Sequence, residues 1–178
     1  MHTRRLQHGR TTKNLGITGH RPQKLFVTDP YSKVNYEKLV SFYKSLFVRF
    51  GDNLEIYSGM ALGADQAAAE AALDMGIPYY ALVPFKDQDS YWVHDSKVKY
   101  QYLLNGAAAI ICLHDRKPRD KNEAVRLLNK RNEAIVDNSD NLLALWNGEE
   151  SGTANCIRYA NSQDITVWNC WKDWENFR

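Results

Sequence analysis

Residues 54–76 place the tightest constraint on what this chain can fold into. Leu54–Tyr57 is a short apolar run that enters a small-residue turn, Ser58-Gly59-Met60-Ala61-Leu62-Gly63-Ala64-Asp65. An alanine-dominated stretch, QAAAEAALDM, fills 66–75, and Gly76 closes it. Alanine has the highest intrinsic helix propensity, and its small side chain lets a helix lie close to a sheet. A strand, a glycine turn and a small-residue helix in that order form the first part of a βαβ unit.

The same alternation runs along the chain. Asn14–Thr18 predicts a buried first strand ending at Gly19. Leu39, Phe42, Tyr43, Leu46, Phe47 and Phe50 recur at spacings of three and four, which predicts a helix over 35–50. Ile77–Val83 predicts a third strand, and a helical stretch to about Leu104 follows the loop PFKDQDSYW. Ala107–Leu113 is a near-continuous apolar run, the pattern of a central strand, with Cys112 expected inside it as a buried small hydrophobe. Lys121–Val136 predicts a helix, Leu142–Trp146 a strand, Ala154–Asn161 a short helix and Ile165–Trp168 a last strand. With 178 residues, roughly one domain is expected. It is of the α/β class, with three layers and a mainly parallel sheet over 14–168.

Lys and Arg total 23 and Asp and Glu 21, but the charge is split. Residues 1–28 hold six basic groups and no acid; the remainder holds 17 basic and 21 acidic groups, a net of −4. Residues 1–13 are expected to be a disordered basic tail. The body lacks the uniformly basic face of a nucleic-acid module, so nucleic acid is not an expected partner. No apolar run follows the basic residues, so no secretory leader is expected, and no stretch reaches the length of a membrane span. Cys112, Cys156 and Cys170 have no zinc spacing, and their odd number suits a reducing cytoplasm. None of the five histidines forms a metal motif. No tightly bound cofactor is expected, and magnesium would enter only with a phosphate ligand. Residues 169–178 form an aromatic C-terminal extension in which Trp171, Trp174 and Phe177 are three apart. It either packs back on its own domain or offers a surface for a homo-oligomer.

In an open parallel sheet, ligands bind beyond the carboxyl ends of the strands. Four segments fall there. Gly19, His20 and Arg21 follow the first strand and offer backbone amides, a donor and a fixed cation. Ser58, Gly59, Gly63, Ala64 and Asp65 lead into the alanine helix, whose N-terminus suits an anion. Asp65 either caps that helix or holds a ribose hydroxyl. Arg131 sits in the apolar stripe of its helix beside Asn132; it either snorkels, pairs with Asp137 or Asp140, or reaches a phosphate. Gly148, Gly152 and Thr153 lie in the last of these turns with Glu149 and Glu150. Gln88 and Trp92 are candidates to wall a base pocket. Together these segments describe a cleft for a nucleotide, an ADP-ribose-like molecule or a nucleotide sugar.

The blocks TGHRP, SGMALGAD, VPFKDQDSYW, RNEAIVDNSDNLLALWNG and GTANCIRYA, in this order over residues 14–168, resemble the YpsA-type branch of the SLOG superfamily. That superfamily is similar to DNA-processing protein A and to the LOG enzymes of cytokinin activation. The resemblance implies a Rossmann-like fold that binds nucleotides or their derivatives. The LOG branch hydrolyses the N-glycosidic bond of nucleoside monophosphates. Its pattern has an arginine before a strand and then PGGxGTxxE. Arg131 resembles that arginine, Trp146-Asn147-Gly148 resembles the PGG turn, and Gly152-Thr153 resembles the GT. The motif's glutamate would fall at Cys156. Catalysis would then rest on Asp65, Glu149 or Glu150, because the reaction needs a carboxylate near the anomeric carbon. The first expectation is therefore a cytoplasmic nucleotide-binding sensor or regulator. The alternative is a nucleotide N-glycoside hydrolase or transferase, and the third reading is a DNA- or partner-binding adaptor.

Overall fold

Six strands join in one sheet, and every pairing is parallel. They are β1 (Lys13–Gly19), β2 (Leu54–Ser58), β3 (Tyr79–Val83), β4 (Ala109–Cys112), β5 (Asn141–Leu145) and β6 (Thr166–Asn169). The helices are α1 (Pro22–Leu25), α2 (Lys33–Phe50), α3 (Ala64–Asp74), α4 (His94–Gly106), α5 (Lys121–Asp137), α6 (Gly152–Ser162) and α7 (Trp171–Phe177). This computed structural model describes residues 12–178. The tail expected over 1–13 therefore lies almost wholly outside the described residues.

The spatial order is β4-β3-β2-β1-β5-β6. The chain steps outward from β1 to β4, then crosses back to β5 on the other side of β1. Right-handed crossovers in one direction put α2, α3 and α4 on one face; the reversal puts α5 and α6 on the other. The core divides the same way. One cluster holds Leu39, Phe42 and Phe47 of α2, the alanines of α3 and Leu103 of α4. The other holds Ile135 and Val136 of α5 with Cys156, Ile157 and Ala160 of α6. Alternation in β5 serves both: Leu143 and Leu145 point to the first, Leu142 and Ala144 to the second. A strand covered on both faces reads as an unbroken apolar run.

That rule misplaces β4. The run 107–113 has a central-strand pattern, yet β4 is the sheet edge, with Ile110 52% and Ile111 40% exposed. Cys112 is exposed as well, not buried. The cause is topological: β4 is the last strand before the crossover, and α5 leaves it to reach the far side of β1. At the start of α5, Asp120 Oδ1 accepts the Glu123 N–H at 2.8 Å, and Glu123 accepts the Arg119 N–H at 2.6 Å. Asp120 thus caps the helix, and Glu123 reaches back past it to the residue before the cap. The Arg119 amide and the Arg116 guanidinium hold the Glu123 carboxyl at about 2, below its ordinary 4.5. A depressed carboxyl stabilises the fold fully above pH 4.5 and loses that contribution as pH falls toward 2. Denaturant unfolding across that window should show a shallower acid loss for Glu123→Gln than for the parent.

Candidate functional site

β1 and β5 are neighbours whose connections leave in opposite directions, and the crevice between such strands is where open α/β sheets bind ligands. A cleft of about 480 Å³ lies there, within the range of small-molecule sites. Thr18, Asp65, Arg131 and Asn132 line it together with Gly152 and Thr153 at the start of α6.

The loop from β2 to α3 forms its back wall. Gly63 has φ +96, and a Cβ there would fall 2.7 Å from the His20 carbonyl oxygen, so glycine is required on both counts. Met60 holds φ 59, in the left-handed region. It is pinned there because its N–H donates to Ser58 Oγ and its carbonyl accepts from Gln66 Nε2 at 3.1 Å. Ser58 Oγ in turn donates to the Asp65 carbonyl at 2.9 Å. The Ala64 N–H, at the first position of α3, donates to the His20 carbonyl. Two N–H groups of the helix end expected to meet an anion, those of Ala64 and Gln66, are therefore engaged by the protein's own backbone.

Arg131 neither snorkels nor pairs with Asp137 or Asp140. It is 6% exposed, and Nη1 donates to the Gly59 carbonyl at 2.5 Å while Nε donates to Asn132 Oδ1 at 3.0 Å. A Cβ on Gly59 would overlap the guanidinium. Asn132 Nδ2 donates to the Gly152 carbonyl at 3.2 Å, so α5 ties the second strand's loop to the start of α6. Burial works against the Arg131 charge, and the Asp65 carboxylate supports it. Burial raises the Asp65 carboxyl above its ordinary value, against the opposing pull of Arg131 and the Ala61 N–H. Asp65 Oδ2 accepts that N–H at 3.3 Å; it braces the preceding loop rather than capping α3.

The opposite wall comes from the turns after β1 and β5. His20 Nε2 lies 2.6 Å from Asn147 Oδ1, which also accepts the Glu149 N–H. Burial lowers the imidazole's pKa and so disfavours the charged form, against the pull of the Asn147 hydrogen bond. Arg21 is exposed at the cleft rim; its carbonyl accepts the Lys24 N–H, and its guanidinium has no hydrogen-bond or ion-pair partner among the described residues. Ser151 Oγ accepts the Ala154 N–H and caps α6. The Gly152 and Thr153 amides, and the Thr153 hydroxyl, have no hydrogen-bond partner among the described residues, although Thr153 is only 6% exposed.

The structure thus brings Gly19, His20, Arg21, Asp65, Arg131, Asn132, Gly152 and Thr153 to one cleft. It leaves Ser58, Gly59, Gly63 and Ala64 behind the wall, as supports. Gly148 is outside the lining, in the loop at φ +95. Glu149 and Glu150 are not in the cleft. Glu149 pairs with Lys24 at 2.5 Å and Glu150 with Arg158 at 2.6 Å on the surface, which keeps both carboxyls below their ordinary values. Cys156, at the position of the LOG glutamate, is fully buried with its thiol pushed up to about 12. Trp92 packs on Tyr100, ring centroids 5.2 Å apart, and neither it nor Gln88 lines the cleft. Sequence reasoning missed Val125, Leu128 and Asn129 of α5, which do line it. Their spacing with Asn132 along one helical face was the available signal. Among the described residues, no group of three or more His, Cys, Asp or Glu side chains could hold a metal ion. Nor is any helix among them long and apolar enough to cross a membrane.

Comparison with known proteins bears on these readings. The chain is 33% identical over 137 residues to the uncharacterized SPbeta prophage-derived protein YoqJ of Bacillus subtilis, covering 70% of this chain and 78% of that protein. Its fold is similar to DNA processing protein A from Streptococcus pneumoniae, with TM-score 0.60 and 20% identity; the match covers 88% of this chain but only 49% of that one. The corresponding protein from Helicobacter pylori matches with TM-score 0.59 and 21% identity over 88% of this chain and 64% of that one, and its structure is described as showing a single-stranded DNA binding mode. This overturns the expectation that nucleic acid is not a partner. A single-stranded DNA binder shares the fold, so the net charge of the body is no ground for excluding one. The model of the YspA SLOG family (YpsA) matches residues 15–166, from within β1 to the first residue of β6, and the chain belongs to that family.

Proposed function

We propose that the cleft binds a nucleotide or nucleotide derivative through its phosphate, and that the protein acts as a sensor or regulator of that ligand. The observation that carries this reading is the set of unengaged donors at one place. The Gly152 and Thr153 amides and the Thr153 hydroxyl line the cleft that has Arg21 on its rim. A helix N-terminus with free amides and a guanidinium is suited to an anion. Asp65, on the floor, is placed among polar groups where a ribose hydroxyl could donate to it. Magnesium would come only with the phosphate.

Native mass spectrometry against nucleoside mono-, di- and triphosphates, NAD, ADP-ribose, UDP-sugars and a short single-stranded oligonucleotide tests this. An adduct at an intact nucleotide mass is expected. Arg21→Ala should weaken that binding about tenfold, the loss of one charge-assisted contact of about 1.4 kcal/mol. Unchanged affinity in Arg21→Ala and Thr153→Val would sink the assignment. Binding of the oligonucleotide with none of the small ligands would replace it with the nucleic-acid reading. Hydrolysis of an N-glycosidic bond has one observation in its favour, a carboxyl group, that of Asp65, in the lining of the cleft. It predicts free base released from a nucleoside monophosphate and loss of that release in Asp65→Asn.

A further inference from the structure

The two edges of the sheet differ. β6 carries the polar Thr166 and Asn169 among its four residues. β4 lies in the run Ala107–Leu113, AAAIICL, which holds no charge and no proline. All four residues of β4 are exposed, so no element among the described residues covers this edge. Soluble proteins protect such edges with charges, prolines, bulges or a covering segment, and an unprotected apolar edge is a template for another strand. Ile110 is in register with Ala81 and points to the face that α2, α3 and α4 occupy; Ile111 is in register with Leu82 and points to the other. Both isoleucines meet solvent all the same. α4, the helix on this edge, leaves Val98 and Tyr102 exposed one turn apart. The Ala108 N–H turns inward to the Tyr79 carbonyl at 2.8 Å, so by the alternation of a strand the peptide groups of Ala109 and Ile111 turn outward.

We propose that β4 is the seam of a homodimer, in which β4 of one copy pairs antiparallel with β4 of a second across a two-fold axis and the two sheets become one. A two-fold contact uses the same patch on both copies, so the patch must complement itself. β4 does so in backbone and in side chains. The outward N–H and C=O groups of Ala109 and Ile111 meet their like on the second strand, and the isoleucines find apolar neighbours on both faces. The charges favour a second copy as the occupant. Residues 114–121, just past β4, hold Arg116, Lys117, Arg119 and Lys121 against Asp115 and Asp120. Antiparallel pairing moves the two basic loops to opposite ends of the seam. Each then approaches the C-terminal end of the other copy's α4, because α4 ends where β4 begins. That end is the negative pole of the helix, and its last turn holds no basic residue. The run reads as a central strand, and in the pair it is one.

Sedimentation velocity of the full chain across a concentration series tests this, with residue-resolved hydrogen exchange on the same samples. A dimer is expected, with the Ala109 and Ile111 amides protected in it and exchanging faster on dilution. Ile111→Lys brings one ammonium from each copy into the seam and should weaken the dimer about a hundredfold. Ile110→Lys, on the other face, should do the same. Both side chains are exposed in the single chain, and circular dichroism would confirm that the variants fold; if one does not, the exchange of the parent decides. Trp168→Lys, on the opposite edge, should leave the dimer intact. A chain that stays monomeric at every concentration overturns the proposal, and a strand of another protein is then the occupant to seek. A dimer that survives both isoleucine substitutions overturns it too, as does one whose Ala109 and Ile111 amides exchange freely, because the contact then lies elsewhere.

Discussion

Replacing Gly59 by alanine should lower the thermal unfolding midpoint by about 6–12 °C, for a loss of about 3 kcal/mol in a domain of this size. The added methyl group would fall on the Arg131 guanidinium. Arg131 cannot step aside freely, because the Gly59 carbonyl and Asn132 Oδ1 hold its nitrogens and the residue is buried. Overpacking alone costs about 1–3 kcal/mol. Displacing a buried charge from its acceptors adds to that, because its desolvation is then uncompensated. Gly152→Ala is the control: no atom lies within 4 Å of the position its Cβ would take. Differential scanning calorimetry on the two variants decides the point. Equal midpoints would show that Gly59 is not the seat of Arg131, and the wall between the β2–α3 loop and α5 would need another explanation.

That pair also shows where sequence reasoning reaches and where it stops. An arginine in the apolar stripe of an amphipathic helix is visible as an anomaly, because the period of 3.6 places Arg131 among Leu127 and Ile135. What it pairs with is not visible, since Gly59 lies 72 positions away and contributes a carbonyl, which every residue has. Local chemistry hides the partner, and only the three-dimensional arrangement supplies it. β4 fails for a related reason. AIIC carries the composition of a buried strand, but burial depends on strand order, and order depends on which way each crossover turns. The glycine turns were legible as turns; which of them face the cleft was not. Glu149 and Glu150 read as available carboxylates, and they lie on the surface because Lys24 and Arg158 hold them there. Asn129 was overlooked because a single asparagine on a helix is ordinary until Val125 and Leu128 are seen beside it in the cleft.

Trp174→Ala should have an effect at least as large, about 3–5 kcal/mol, which for this chain length is a fall of about 6–20 °C in the midpoint. The aromatic spacing of the C-terminal segment left open whether it packs on the domain or serves assembly. In the structure Trp174 is fully buried in the core cluster on the α2–α3 face. Its ring meets Phe42 edge-on at 5.2 Å and Phe26 at 5.6 Å, and stacks on Phe177 at 6.4 Å. Aromatic contacts of this kind add to the burial of a large side chain. Trp174 Nε1 has no protein partner among the described residues, so Trp174→Phe gives up no protein hydrogen bond and should cost much less than alanine. Trp168→Ala, at a side chain 54% exposed on the edge strand β6, should shift the midpoint least of the three. The series matters for the cleft because α7 reaches it: Trp171 packs edge-on against His20 at 5.9 Å, and His20 holds Asn147. If Trp174→Ala melts no lower than Trp168→Ala, α7 is not part of the core. The wall at His20, which Asn147 holds from behind, would then have to stand without it.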